Sequence, residues 1–292
     1  MPEAETVDYA TDAPPVDPIP LPRRLAAEAV GTFLLVFFGC GSMAVDAAYG
    51  GAVGHVGIGI VWGVVVLALI YAVGDISGAH FNPAVSFAFT LAGRFKRNDA
   101  LWYSGVQIIA ATVAALVLAL AFPFPGLQGP IGSLGEPDLG QTLPSSPQTY
   151  RYVAGQGFGE PSTDLSSSTS DFTVDNRGSG AQVRDQPWFT SARAFGFEIV
   201  LTFALVFVIL CVAVGSKERG LMAGIAIGGT VGICALAAGP VCRASMNPAR
   251  SIGPAIAAVD FTHLWIYVTA PFIGAALAVW AWTYIYRHPR PA

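Results

Sequence analysis

Charged residues are scarce in this sequence. Only 12% of its 292 residues are Asp, Glu, Lys or Arg, whereas 53% are hydrophobic. A soluble domain does not have this balance, which is typical of an integral membrane protein. The formal net charge of -4 is too small to indicate a nucleic-acid partner. The sequence therefore predicts a chain that lies in a lipid bilayer.

Cysteine and the common catalytic motifs are equally sparse. Three of the four cysteines lie in apolar runs, and all are widely spaced, which does not suit a disulfide framework or a metal site. They are Cys40, Cys211, Cys234 and Cys242. The sequence has no His-Glu-x-x-His and no Gly-x-Ser-x-Gly motif, so an intramembrane enzyme is not indicated. We predict no enzymatic activity, no metal and no cofactor.

What the sequence does contain is long apolar runs. Six of them approach the roughly 20 residues that cross a bilayer: 25–45, 56–73, 100–122, 192–214, 221–238 and 264–286. Basic residues concentrate on one side of this arrangement: Arg23, Arg24, Arg94, Lys96, Arg97, Lys217, Arg219, Arg287 and Arg290. The positive-inside rule then predicts a multi-pass protein of the cell membrane with both termini in the cytoplasm.

The two halves of the sequence repeat. Glu28–Phe37 matches Glu198–Phe207. The two Asn-Pro-Ala boxes are separated by nearly the same number of residues as these two segments. Each half holds three apolar runs, an odd number, so the second half must be inverted. Inverted repeats place functional sites near the bilayer midplane, between the halves. Glycines at every fourth position, Gly220, Gly224 and Gly228, predict a helix face for close packing.

Each Asn-Pro-Ala box predicts the start of a short helix. Asn is a good N-cap, and Pro fits the first helical position because the missing N–H would be unpaired there. The stretches that follow, 84–92 and 249–258, reach about 15 Å, half of the ~30 Å hydrocarbon core. Two half-helices that enter from opposite sides can meet at the midplane. The residues of the two boxes are Asn82, Pro83, Ala84, Asn247, Pro248 and Ala249.

This pairing predicts a pore for neutral solutes. Half-helix N-termini carry partial positive charge, and both asparagines can donate N–H groups to a passing oxygen. The extended backbone before each box, tolerated at this depth only where it lines a cavity, would offer carbonyl acceptors. It comprises Gly78, Ala79, His80 and Phe81 in one half and Arg243, Ser245 and Met246 in the other, with Ala244 among them. His80 would shape the inner vestibule or, alternatively, act as a pH gate.

Two arginines near the second box are candidates for function. Arg250 is the stronger, because a charge at this depth is costly and functional by default; the alternative is a structural Arg tied to carbonyls. Arg243 would face the mouth or pair with an acid such as Asp260.

Glu28 and Glu198 occupy matching places in the repeat. Buried acids can be proton relays, but their symmetry favours a bracing role, in which each accepts backbone N–H groups of a box loop.

These features divide the chain into five segments. We predict a disordered cytoplasmic tail over 1–22, a first repeat over 23–122, a long extracytoplasmic loop over 123–190, a second repeat over 191–286 and a cytoplasmic tail over 287–292. The long loop is rich in Gly, Pro, Ser and acids, and a loop of this length is functional or disordered. An ordered cap near the outer mouth and a flexible linker remain equal alternatives.

Together the two boxes, the six spans and the inverted repeat resemble the major intrinsic proteins, which comprise aquaporins and glycerol facilitators. The likeness covers 23–122 and 191–286 and is strongest to the nodulin-26-like branch and its bacterial relatives. It implies an all-α membrane protein with an aquaporin-like right-handed bundle of six transmembrane helices and two half-helices. It also implies a homotetramer with one pore in each subunit. The selectivity filter implied by the resemblance is Trp62, Ala235, Ala244 and Arg250.

This filter decides the solute that we expect. Strict water channels resemble it but carry His at the position of Ala235, so the methyl group should widen the constriction. Against this, Ser251 is a water-channel-like residue where glycerol facilitators usually have Asp. We predict a passive channel for water and small uncharged solutes such as glycerol, which excludes ions and protons. The alternatives are a strict water channel, an ion-coupled transporter and an adhesive protein that uses its long loop.

Overall fold

The computed structural model describes residues 19–49, 51–122, 187–213, 222–261 and 263–286. All regular secondary structure within these ranges is helical. The helices are α1 (Leu21–Ala48), α2 (Gly54–Ser77), α3 (Pro83–Leu91), α4 (Arg97–Ala121), α5 (Pro187–Ala213), α6 (Ala223–Cys242), α7 (Pro248–Ala258) and α8 (Leu264–Tyr286). Six of these described helices are long and apolar enough to cross a membrane. The other two, α3 and α7, have 9 and 11 residues and are half-helices. The predicted all-α class is confirmed.

Two helices continue beyond their predicted ends. The apolar run of α2 stops at Val73, but the helix continues to Ser77, where Gly78 ends it with a left-handed φ of 87°. The run of α6 stops before Gly239 and Pro240, yet the helix continues through both to Cys242. A proline removes one backbone hydrogen bond, and membrane helices tolerate this where a neighbouring side chain satisfies the freed carbonyl.

Two predicted segment boundaries also shift. Helix α1 begins at Leu21, inside the range predicted as a disordered tail, with Pro22 in its first turn. Helix α5 begins at Pro187, inside the predicted loop of 123–190. Most of the predicted tail (1–18), most of the loop (123–186) and the C-terminal tail (287–292) lie outside the described residues, as does Gly220.

The helix packing repeats in the two halves. Helix α1 packs on α2 and α4, and α5 packs on α6 and α8 in the same way. The halves meet where α2 packs along α6 and where each half-helix crosses over: α7 lies chiefly on α4, and α3 lies on α8 and α4. This arrangement buries the half-helices, so that Ala84 and Ala249 are completely inaccessible. Large apolar side chains such as Leu120 and Trp280 are exposed on the outside, as suits a lipid-facing surface.

Glycine permits the close approach of α2 and α6. A Cβ atom added to Gly63 would lie 2.8 Å from the carbonyl oxygen of Gly228. One added to Gly224 would lie 2.6 Å from the ring of Tyr71. The face predicted for close helix packing therefore forms the seam between the two halves.

Candidate functional site

Both half-helices begin at the asparagine of a box. The side-chain oxygen of Asn82 accepts a hydrogen bond from the N–H of Ala84 at 2.9 Å, and that of Asn247 accepts one from Ala249 at 3.0 Å. Both asparagines have extended backbone and are followed by proline at the first helical position, the usual geometry of an N-cap. Two helix N-termini therefore lie in the interior of the bundle.

The two boxes are joined by a reciprocal pair of hydrogen bonds. Nδ2 of Asn82 donates to the carbonyl of Met246 at 2.7 Å, and Nδ2 of Asn247 donates to the carbonyl of Phe81 at 2.8 Å. Each asparagine side chain thus binds the backbone of the residue that precedes the other asparagine. A carboxamide has two N–H groups, so each side chain keeps a second donor. This exchange was not predicted from the sequence, where the symmetry of the repeat was the available signal.

The sequence predicts extended backbone before each box, but the structure shows loops that are only partly extended. Positive φ values recur at matching positions: 50° and 49° at Ala79 and Phe81, then 45° and 53° at Ala244 and Met246. The left-handed region costs a residue other than glycine about 1–2 kcal/mol. Both loops therefore need outside support to hold this shape.

Two buried glutamates provide that support. Glu28 accepts hydrogen bonds from the N–H groups of His80 at 2.9 Å and Phe81 at 2.7 Å. Glu198 accepts them from Ser245 at 2.7 Å and Met246 at 2.8 Å. Both glutamates are fully inaccessible. Among the described residues, neither glutamate lines the cavity between the two halves that is described below.

Two further side chains, which were not predicted from the sequence, surround Glu28. The hydroxyl of Ser77 and Nε2 of Gln107 donate to its carboxylate, each at 2.8 Å. The sequence signal that could have identified Gln107 was its position inside an apolar run, because a buried polar group needs a partner.

A cavity of about 1010 Å³ is lined by residues from both halves of the bundle. Its wall includes both box asparagines, with Asp75, Arg94 and Phe95 at one end and the four predicted filter residues, Trp62, Ala235, Ala244 and Arg250, at the other. We refer to these as the Asp75 end and the Trp62 end. The wall also includes Gly78, Ala79, His80, Phe81, Ser245 and Met246. Arg243 and the Pro and Ala residues of the boxes do not belong to it.

Arg250 is buried at the Trp62 end and is held from two sides. Its guanidinium carbon lies 4.1 Å from the centre of the Trp62 ring, a cation–π contact. Its Nη2 donates to the carbonyl of Arg243 at 3.3 Å. Trp62 in turn lies against Gly39, where a Cβ atom would come within 2.4 Å of the indole. Arg250 so held forms part of the cavity wall, together with the methyl groups of Ala235 and Ala244.

At the Asp75 end, His80 is enclosed by aromatic rings. Its ring stacks on Phe89 with centroids 4.8 Å apart, and Nδ1 lies 3.0 Å from Oγ of Ser86. Tyr103 packs beside it and donates to the carbonyl of Ser77 at 2.8 Å. Arg24 binds Tyr103 and forms an ion pair with Asp99 at 3.0 Å. This cluster was not predicted from the sequence, because its members are far apart in the chain.

Comparisons with known proteins agree with this arrangement. The family model described as Major intrinsic protein matches residues 17–282. Aquaporin NIP1-1 of Zea mays is 35% identical over 272 residues, which is 91% of this chain and 76% of the relative. Aquaporin NIP1-4 of Oryza sativa subsp. japonica is 39% identical over 263 residues, 90% and 77% of the two chains. The X-ray structure of the aquaglyceroporin from Plasmodium falciparum superposes with a TM-score of 0.60 at 21% identity, covering 89% of this chain and 95% of that one.

Proposed function

Because the chain belongs to the major intrinsic protein family, whose members are membrane channels and not enzymes, we propose that it passes water and small uncharged solutes such as glycerol. The observation that carries this proposal is the Trp62 end of the cavity. There a buried Arg250 and an indole share the wall with the methyl groups of Ala235 and Ala244. An apolar wall beside a donor edge suits a carbon chain that bears hydroxyl groups.

The centre of the cavity favours neutral oxygens over cations. Two half-helix N-termini face it, each equivalent to roughly +0.5 of an elementary charge. The second N–H groups of Asn82 and Asn247 can donate to a hydroxyl or a water, while a cation or a proton meets an unfavourable potential. Arg250 adds a full charge at the Trp62 end. We propose that these groups together exclude ions and protons.

The same geometry disfavours an ion-coupled transporter. Such a protein needs an acid that is free to titrate near the midplane. Glu28 and Glu198 are instead engaged with the backbone of the box loops. The acid in the cavity wall among the described residues, Asp75, is exposed at the far end.

Ser251 does not oppose a pore wider than that of a strict water channel. Its hydroxyl lies 2.5 Å from that of Ser245, and the side chain is buried behind the cavity wall instead of forming part of it. The choice between Ser and Asp at this position therefore acts on the support of the loop. Size exclusion belongs to the four filter residues.

We further propose a multi-pass protein of the cell membrane with both termini in the cytoplasm, which the distribution of Arg and Lys supports. By this orientation the Asp75 end is the inner mouth and the Trp62 end the outer mouth. Family resemblance supports a homotetramer with one pore in each subunit.

Stopped-flow light scattering on proteoliposomes tests the proposed function. Wild-type protein should accelerate both water and glycerol flux, without dependence on a proton gradient. Ala235→His should lower glycerol flux at least tenfold and water flux much less, because an imidazole narrows the constriction, and one lost methylene alone is worth about 10–200-fold in a pocket. Ala237→His, the same change on the exposed face of α6, is the matched control. An equal loss of both fluxes in Ala235→His would contradict the filter assignment.

A further inference from the structure

The seam between α2 and α6 ends near the filter. A Cβ atom added to Gly59 would lie 2.5 Å from the Leu236 side chain, and one added to Gly63 would lie 3.1 Å from Cα of Gly232. The backbones of the two helices are therefore in close contact along this face. The same two helices carry filter residues, Trp62 on α2 and Ala235 on α6. Any change in their separation changes the width of the cavity at its Trp62 end.

Pro240 interrupts the hydrogen bonding of α6 at this level. Within an α-helix the N–H of residue 240 would bind the carbonyl of Leu236, and proline has no N–H. Leu236 is exposed, and without this N–H its carbonyl needs another donor, from a side chain or from water. Leu236 directly follows the filter residue Ala235, so the helix lacks this internal bond beside the constriction.

His55 supplies the missing bond from the other helix. Its Nε2 lies 2.7 Å from the carbonyl oxygen of Leu236. A carbonyl oxygen only accepts, so Nε2 carries the hydrogen and donates. Gly239 makes room for the imidazole, since a Cβ atom there would lie 3.1 Å from Cε1 of His55. The histidine thus joins the first turn of α2 to the proline-interrupted turn of α6.

We propose that His55 is a positioning residue of the filter. It lies two helical turns before Trp62, on the same face of α2, and its hydrogen bond holds α6 at the residue next to Ala235. This bond sets the distance between the indole and the alanine methyl. The proposal depends on the filter proposed above, because it concerns the width of that same constriction. His55 does not contact the solute.

The substitutions His55→Leu, His55→Asn and His55→Gln separate positioning from folding. Leu removes the donor and Asn is too short to reach, whereas the amide of Gln places a donor near the position of Nε2. Without the bond the α6 turn relaxes outward, so the glycerol-to-water permeability ratio should rise about threefold or more, as expected for one lost hydrogen bond. A four-carbon polyol should begin to pass. Gln should stay within about twofold of the wild type.

The neighbouring substitution Val56→Ala is the matched control, because Val56 is exposed on the same turn and lacks a donor. It should leave the permeability ratio unchanged. A purely structural role for His55 would lower the unfolding temperature of the Leu and Asn variants without altering the ratio or admitting the larger polyol, and that result would overturn the proposal.

Pro240→Ala provides an independent test. Alanine restores the N–H that binds the Leu236 carbonyl within α6, so the helix no longer needs the histidine. In this background His55→Leu should have no further effect on the permeability ratio. Additive effects of the two substitutions would contradict the proposal, because residues that serve the same carbonyl must be coupled. The double variant also provides the measurement if His55→Leu alone does not reach the membrane.

The outcomes for the filter and for His55 are distinguishable. If wild-type protein passes neither water nor glycerol, the proposed function fails. If it passes both and Ala235→His selectively loses glycerol, while all His55 variants retain the wild-type ratio, the filter stands and the positioning role fails.

Discussion

The two box loops share one backbone plan but differ in the side chains that support it. In both, a buried glutamate accepts two consecutive backbone N–H groups, and positive φ values recur at equivalent positions. Glu28 accepts two further hydrogen bonds, from Ser77 and Gln107. At the place of Ser77 the second half has Cys242, whose thiol donates to the carbonyl of Ala238 at 3.5 Å and is at most a weak donor to Glu198. The backbone bonds are thus common to both halves, and the strong side-chain bonds belong to the first.

A second difference lies in the pairs that flank each loop. His80 contacts Ser86 in the first half, and Ser245 contacts Ser251 at the equivalent place in the second. The first pair lies in an aromatic cluster with Phe89 and Tyr103, whereas in the second pair Ser245 lies in the cavity wall and Ser251 is buried behind it. Backbone geometry is therefore common to both halves, while the side chains have diverged to form two unlike ends of one cavity.

The largest loss of stability is expected for substitutions of Glu198 and Glu28, because the side chains around these two glutamates differ most between the halves. Glu198→Gln places an amide NH₂ against a backbone N–H, which leaves both of these donors without an acceptor, at a cost of about 2–3 kcal/mol. Glu28→Gln should cost about half as much, because the Gln107 amide can turn and offer its oxygen to the new NH₂. Unfolding in detergent, followed by circular dichroism, measures both. Water flux in proteoliposomes should fall further in Glu198→Gln.

In the background Gln107→Leu, Glu28→Gln should lose this advantage. If the two Gln variants are equally stable with Gln107 intact, the additional hydrogen bonds of Glu28 do not compensate, and the proposed difference between the halves is wrong.

The next largest effect, a loss of water permeability, should be equal for substitutions of the two box asparagines. Asn82→Asp and Asn247→Asp each remove a donor to the opposite loop and place a carboxylate beside a carbonyl oxygen. Because the bonds are reciprocal, each change should reduce water permeability about tenfold, the equivalent of about 1.4 kcal/mol. The negative charge should also admit cations. Stopped-flow scattering and planar-bilayer conductance give the two measurements.

Unequal losses in the two Asp variants would show that the boxes do not act as a symmetric pair. Asn98→Asp, the same substitution at an exposed position in the first turn of α4, serves as the control for a general effect of an added carboxylate.

The smallest changes in stability are expected at Gly78 and Arg243, and they should have opposite signs. Gly78 and Arg243 end α2 and α6 with φ values of 87° and 67°, and a left-handed residue favours glycine. Gly78→Ala should lower stability by about 1 kcal/mol, also because its Cβ would lie 3.2 Å from the His80 ring. Arg243→Gly keeps the backbone carbonyl that binds Arg250 but loses the side-chain contacts of Arg243, so stability should rise by less than about 1 kcal/mol.

Thermal unfolding of the Gly78 and Arg243 variants in the same detergent measures both shifts. A lower stability of Arg243→Gly would show that the arginine side chain contributes more to the fold than the left-handed conformation costs.

Local features were predictable from the sequence. The half-helix starts depend on Asn and Pro within one turn of each other, so the sequence alone places Asn82 and Asn247 as N-caps. Apolar length alone indicated six spans. The continuation of α6 through Pro240 was not predictable in this way, because the side chain that binds the Leu236 carbonyl, His55, is remote in sequence.

The sequence by itself determined the membrane class, the six spans, the inverted repeat and the two capped half-helices, since these follow from composition, from run length and from residues within a few positions of each other. Only the tertiary structure decided how the boxes hold each other through Asn82 and Asn247 and which polar groups surround Glu28. It also decided how Arg250 is held between Trp62 and the Arg243 carbonyl. These contacts join residues from different helices, and their energies depend on distances of a few tenths of an ångström that sequence patterns do not specify.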